Sequence, residues 1–146
     1  MRTLIIGYGN PLRGDDGLGW RVAEELARTP AFSEAKIILR HQLTPDLAED
    51  VSQADRVLFI DAAQDIPPGE VKCQALSGDT PPIRLAHHYS PDQLLGLARA
   101  LYGATIPGHL FRIGGENFGL SEHISPHIAG CLPRLIALIA DAQLQA

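Results

Sequence analysis

Residues 3–28, TLIIGYGNPLRGDDGLGWRVAEELAR, carry three patterns in succession. Thr3-Leu4-Ile5-Ile6-Gly7-Tyr8 is apolar and partly β-branched, which predicts a strand. A turn-forming stretch follows, rich in Gly, Asn, Pro and Asp. From residue 17 to 28 apolar side chains return at Leu18, Val22 and Leu26, one helical turn apart, while Arg21, Glu24, Glu25 and Arg28 take the outer face. Strand, loop and amphipathic helix in this order open an α/β fold.

The pattern repeats along the chain. Further strands are predicted at residues 36–42, 56–61, 70–76 and 110–114. Helices are predicted to start at Thr44-Pro45, Ser90-Pro91 and Ser125-Pro126, where a hydroxyl can cap and proline fits the first turn. Ser90 and Gln93 form a capping-box pair; Leu94, Leu97, Ala98 and Leu101 follow as an apolar stripe, and Gly103 offers a stop. The last helix shows Ile128, Cys131, Leu132, Leu135 and Ile139, with Pro133 inside it predicting a kink. Alternating strands and helices imply a mainly parallel sheet covered on both faces. Residues 62–69 are too few for a parallel crossover, so the fourth strand is expected to run antiparallel.

A chain of 146 residues suits one domain, and no internal repeat or linker divides it. Hydrophobic residues make up 45% and charged residues 20%, which is ordinary globular usage. The net charge of −5 argues against nucleic acid as a partner. The amino terminus MRTLIIGYGN is interrupted too early for a signal peptide or a membrane span, so a cytoplasmic location without membrane association is expected. Cys73 and Cys131 lack metal-finger spacing and are expected as buried, reduced thiols.

In open parallel sheets ligands bind at the carboxyl ends of the strands, above all where strand order reverses. Asp15 and Asp16 follow the first strand there, and Asp61 ends the apolar run RVLFID. A helix starting at Ser90 leads into a parallel strand, which brings His87 and His88 to the same edge. Two carboxylates and an imidazole from distant parts of the chain suit a divalent transition metal such as nickel or zinc. Simpler roles stand beside this one: Asp15 or Asp16 as a helix cap, Asp61 as a turn residue, and His87 or His88 as solvated loop histidines. Gly7-Tyr8-Gly9 resembles a dinucleotide loop, yet Leu12 replaces the third glycine and acidic residues follow where phosphate would be repelled. His123 and His127 read as surface histidines. No GxSxG elbow and no Cys beside a base point to covalent catalysis.

Taken together, Gly7-Tyr8-Gly9-Asn10-Pro11-Leu12-Arg13-Gly14-Asp15-Asp16-Gly17-Leu18-Gly19 resembles the signature of the hydrogenase maturation proteases, endopeptidases that process nickel-iron hydrogenase large subunits. The resemblance continues through His41-Gln42-Leu43-Thr44-Pro45-Asp46-Leu47, Phe59-Ile60-Asp61-Ala62, His87-His88-Tyr89-Ser90-Pro91 and residues 119–126. It implies a three-layer α/β/α sandwich around a five-stranded, mostly parallel twisted sheet with one antiparallel strand. It implies nickel ligation by Asp16, Asp61 and His87, the HxxS spacing to Ser90 selecting His87 over His88, and it leaves Asp15 to support the turn or helix terminus. The implied reaction removes the carboxyl-terminal peptide of a hydrogenase large-subunit precursor after nickel insertion, the nickel arriving with the substrate. A non-catalytic nickel- or precursor-binding checkpoint is the alternative. Loops 77–86 and 102–108 are expected to set selectivity, and the chain to act as a monomer.

Overall fold

The computed structural model describes residues 1–81 and 89–144. Those residues include the strands β1 (Thr3–Tyr8), β2 (Lys36–Arg40), β3 (Arg56–Ala63), β4 (Val71–Leu76) and β5 (Gly108–Gly114), which form one sheet in the order β2-β1-β3-β5-β4. β2, β1, β3 and β5 run parallel, and β4 pairs antiparallel with β5. The short connection after β3 thus reverses the chain, as its length requires.

Period-two alternation divides the core between the two faces. Ile5, Leu58, Ile60, Phe111 and Ile113 project to one side, where α1 (Leu18–Ala27) and α4 (Pro126–Leu144) cover them with Leu18, Val22, Leu26, Ile128, Leu132, Leu135 and Ile139. Leu4, Ile6, Val57 and Phe59 project to the other side, under α2 (Leu47–Ser52) and α3 (Pro91–Tyr102). The result is the three-layer α/β/α sandwich. The helix α1 approaches the sheet closely: a Cβ on Gly19 would lie 2.5 Å from the Ile60 carbonyl oxygen and 2.6 Å from that of Tyr8. Only glycine permits this contact, and it draws the amino end of α1 against the ends of β1 and β3.

Several boundaries differ from the sequence expectation for identifiable reasons. β3 continues to Ala63 because its pairing with β5 extends through Asp61, Ala62 and Ala63. β2 stops at Arg40, freeing His41 and Gln42 from the sheet. α2 begins at Leu47 rather than at Pro45, since Leu47 and Ala48 donate to the carbonyls of Thr44 and Pro45 in a preliminary turn, and the Thr44 hydroxyl donates to the Asp46 carboxylate instead of capping. In α3 the capping box of Ser90 and Gln93 forms and Gly103 closes the helix in the left-handed region. There Leu95 is buried, whereas Leu101 is 63% exposed, in a last turn next to open space at Gly103. α4 continues through Pro133.

The two cysteines are not buried: Cys73 is exposed and Cys131 half-buried. Cys73 lies on β4, the edge strand, which has a partner on one side only. Among the described residues, no helix is long and apolar enough to cross a membrane.

Candidate functional site

The chain moves from β1 to β2 on one side and returns to β3 on the other, so strand order reverses at β1. Here β3 overshoots: β1 ends at Tyr8 and Gly7 is level with Ile60, so Asp61 falls at the last level of β1 while Ala62 and Ala63 run on beyond it. A cleft of about 230 Å³ opens at this step, lined by Tyr8, Gly9, Asp16, His41, Gln42, Leu43, Asp61 and Tyr89. The structure therefore brings Asp16 and Asp61 together from segments 45 positions apart.

Asp16 sits on a 3-10 turn, Gly14–Gly17, that precedes α1. Its Oδ2 accepts a hydrogen bond of 2.7 Å from the Asn10 backbone N–H, so the carboxylate closes the loop across its own mouth. Gly9 makes the closure possible: its φ is +136°, and a Cβ there would collide with the Asp16 carbonyl oxygen at 2.2 Å. Neither Asp15 nor Asp16 caps α1 with its side chain. Among the described residues Oδ1 of Asp16 accepts no hydrogen bond, which leaves it available to a ligand.

Asp61 shares a sheet face with Tyr8 and with Arg112, its level partner on β5. Burial pushes the Asp61 carboxyl up from 3.8 to about 6; a hydrogen bond from the Tyr8 hydroxyl opposes this, and the charge of Asp16 adds to it. Tyr8 is itself held protonated far above its ordinary range, by burial first and by the Asp61 charge second. Arg112 acts on both groups from beside them while its guanidinium forks onto Asp65 at 2.7 and 3.3 Å. His41 stands at the cleft wall with its ring 5.8 Å from that of Trp20, edge to face. Trp20 in turn donates to the Arg40 carbonyl at 2.9 Å.

Asp15 does not join the cleft. It is fully buried and turns the opposite way, accepting hydrogen bonds from the backbone N–H groups of Glu116 (2.7 Å), Asn117 (2.9 Å) and Ser125 (2.7 Å) and from the Ser125 hydroxyl (2.7 Å). Burial works to raise its pKa, but these donors together hold it below 3.8. Ser125 spends its hydroxyl on Asp15 rather than on capping α4, whose first intrahelical bond runs to the Ser125 carbonyl. Asp15 was expected to support its own turn or the start of α1; its carboxylate instead ties the loop to residues 116, 117 and 125, the last of them just before α4.

His87 and His88 lie outside the described residues. His123 and His127 are exposed, and among the described residues no group of three His, Cys, Asp or Glu side chains is gathered closely enough to hold a metal ion. Two carboxylates with one free oxygen and mutual repulsion are nevertheless a donor pair that a divalent cation would relieve. Tyr8, His41 and Arg112 were not predicted for the site. Alternation places Tyr8 on the face of Leu4 and Ile6, a usable signal; the level pairing of Asp61 with Arg112 has none.

No family model matches the chain. It is 27% identical to the Hydrogenase 2 maturation protease of Escherichia coli K12 over 147 aligned positions, covering 97% of this chain and 86% of that protein. Among solved structures it resembles the [NiFe] hydrogenase maturation protease HycI from Thermococcus kodakarensis KOD1, with TM-score 0.70, 25% identity and coverage of 96% and 90% of the two chains. It also resembles the hydrogenase 2 maturation peptidase from Thaumarchaeota archaeon SCGC_AB-539-E09, with TM-score 0.71, 22% identity and coverage of 98% of each chain. In sequence and in fold, over nearly its whole length, this chain is similar to the hydrogenase maturation proteases.

Proposed function

We propose that this protein is an endopeptidase that removes the carboxyl-terminal peptide of a [NiFe]-hydrogenase large-subunit precursor, and that it acts on the precursor once nickel has been inserted. The observation that carries this reading is the convergence of Asp16 and Asp61 in one cleft at the strand-order reversal, with Asp61 destabilised as an anion until a cation or proton arrives. The nickel is part of the substrate, and Asp16, Asp61 and His87 are the residues proposed to contact it. Held by these residues, it would serve as a Lewis acid toward the scissile carbonyl or an attacking water. Asp16 offers its unbonded Oδ1 from a loop held shut by Asn10. Tyr8 holds the Asp61 carboxyl in place by hydrogen bonding to it, and the cleft that both carboxylates line leaves them open to a docked peptide. The maturation proteases that it resembles share this fold and most of this chain's length.

Nickel dependence is the direct test. Incubation with nickel-loaded precursor is expected to yield a shortened subunit by intact mass, and nickel-free precursor is expected to remain whole. Equal cleavage of both forms would overturn the substrate-borne role of nickel. Tight binding of the loaded precursor without cleavage would instead favour a checkpoint that senses nickel without hydrolysis.

A further inference from the structure

From the surface beside the cleft we infer that Leu12 and Leu120 form one apolar platform on which the folded precursor docks, an inference that rests on the proposed function. Leu12 is 53% exposed and Leu120 is 87% exposed. They lie on two loops joined in parallel by a bridge between Arg13 and Ser121, with Gly14 N–H donating to the Ser121 carbonyl at 2.8 Å and Ser121 N–H to the Leu12 carbonyl at 3.0 Å. Each leucine precedes its bridged residue by one, so the parallel register sets the two side by side.

The platform is rigid. Asp15 N–H donates to the Asn117 carbonyl at 2.8 Å, Arg13 Nε donates to the Phe118 carbonyl at 3.4 Å, and the buried Asp15 carboxylate ties the same loop to Glu116, Asn117 and Ser125. Exposed leucines on a loop so fully bonded lose little freedom when they are covered, which favours association. Isolated exposed leucines need no explanation; a paired, immobilised set beside a cleft marks an interaction surface.

The occupant follows from distance. Leu12 and Asp16 are four positions apart, a span of at most about 14 Å. A stable protein partner covers about 800 Å² on each side, a disc of roughly 16 Å radius. A folded substrate centred on the Asp16 cleft has the reach to cover Leu12 and, through the bridge, its neighbour Leu120. The matching surface on the precursor is apolar and lies beside the scissile segment, so recognition extends beyond the tail that is removed.

The test compares the native protein with the double variant Leu12→Ser/Leu120→Ser on nickel-loaded precursor, and measures binding to immobilised precursor in parallel. KM and Kd are expected to rise about ten- to hundred-fold, with kcat and Tm unchanged, and Leu12→Met/Leu120→Met is expected to retain native KM. Unchanged KM and Kd would overturn the inference, as would a fall in kcat with KM unchanged. Loss of a self-associated form in sedimentation with precursor binding intact would assign the platform to a second copy and also overturn it. Native protein that binds precursor but never cleaves it contradicts the proposed function alone, and the binding comparison still decides the platform.

Discussion

Asp15→Ala is expected to destabilise the protein by about 3–5 kcal/mol, because it strands three backbone N–H groups and the Ser125 hydroxyl around an empty buried site. For a chain of this size that corresponds to a fall in Tm of roughly 10–20 °C. Asp15→Asn is expected to fall between the two, since its amide keeps one acceptor but turns a donor toward donors. The sign of the pH effect follows from the depressed pKa. Asp15 contributes stability above its ordinary value of 3.8, and that contribution is lost as pH falls through its lower folded value. Thermal melts of native and Asp15→Asn protein should therefore differ most near neutral pH and draw together in acid. Equal melting at pH 7 would remove Asp15 from this role.

Asp61→Asn is expected to act in opposite directions on stability and activity. The folded pKa of about 6 lies above the ordinary 3.8, so the native state binds this proton more tightly than the unfolded chain. The associated stability is fully present below 3.8 and is lost as pH rises through about 6. Above that, the ionised Asp61 carries a penalty of about 1–3 kcal/mol, reduced from the full shift because the carboxyl opens onto a solvent-filled cleft. The neutral amide removes the penalty. Asp61→Asn should melt several degrees higher than the native protein at pH 8, match it at pH 4, and lose cleavage about a thousand-fold. A site that sacrifices stability for chemistry shows this inversion; a purely structural Asp61 would lose stability at both pH values.

The fold and the site differ in how much of each is visible in the residue order. The strand, loop and helix of residues 3–28 and the eight residues between Asp61 and Glu70 define a mostly parallel sheet with one reversal, because period and connection length are local properties. The same local logic places Asp16 and Asp61 at one sheet edge. It fails to separate Asp15 from Asp16, two identical neighbours that a single 3-10 turn sends in opposite directions, since the partner that claims Asp15 is Ser125, 110 residues away. Arg112 stays hidden for a similar reason: its place beside Asp61 depends on the register between β3 and β5, set by packing of the whole sheet. Cys73 has the apolar context of a core thiol, and only the position of β4 at the sheet edge exposes it. His87 lies outside the described residues, so its proposed part rests on the family resemblance.

Asp16 is the carboxylate on which the account turns, and one measurement addresses it directly. Asn is nearly isosteric and can keep the 2.7 Å hydrogen bond from Asn10 N–H, so Asp16→Asn should fold and melt within a few degrees of the native protein. Intact-mass spectrometry of nickel-loaded precursor, incubated with each protein in turn, is expected to show complete loss of the carboxyl-terminal peptide with native protein and uncut precursor with Asp16→Asn. Cleavage by Asp16→Asn at the native rate would contradict the assignment of the cleft as the reacting site.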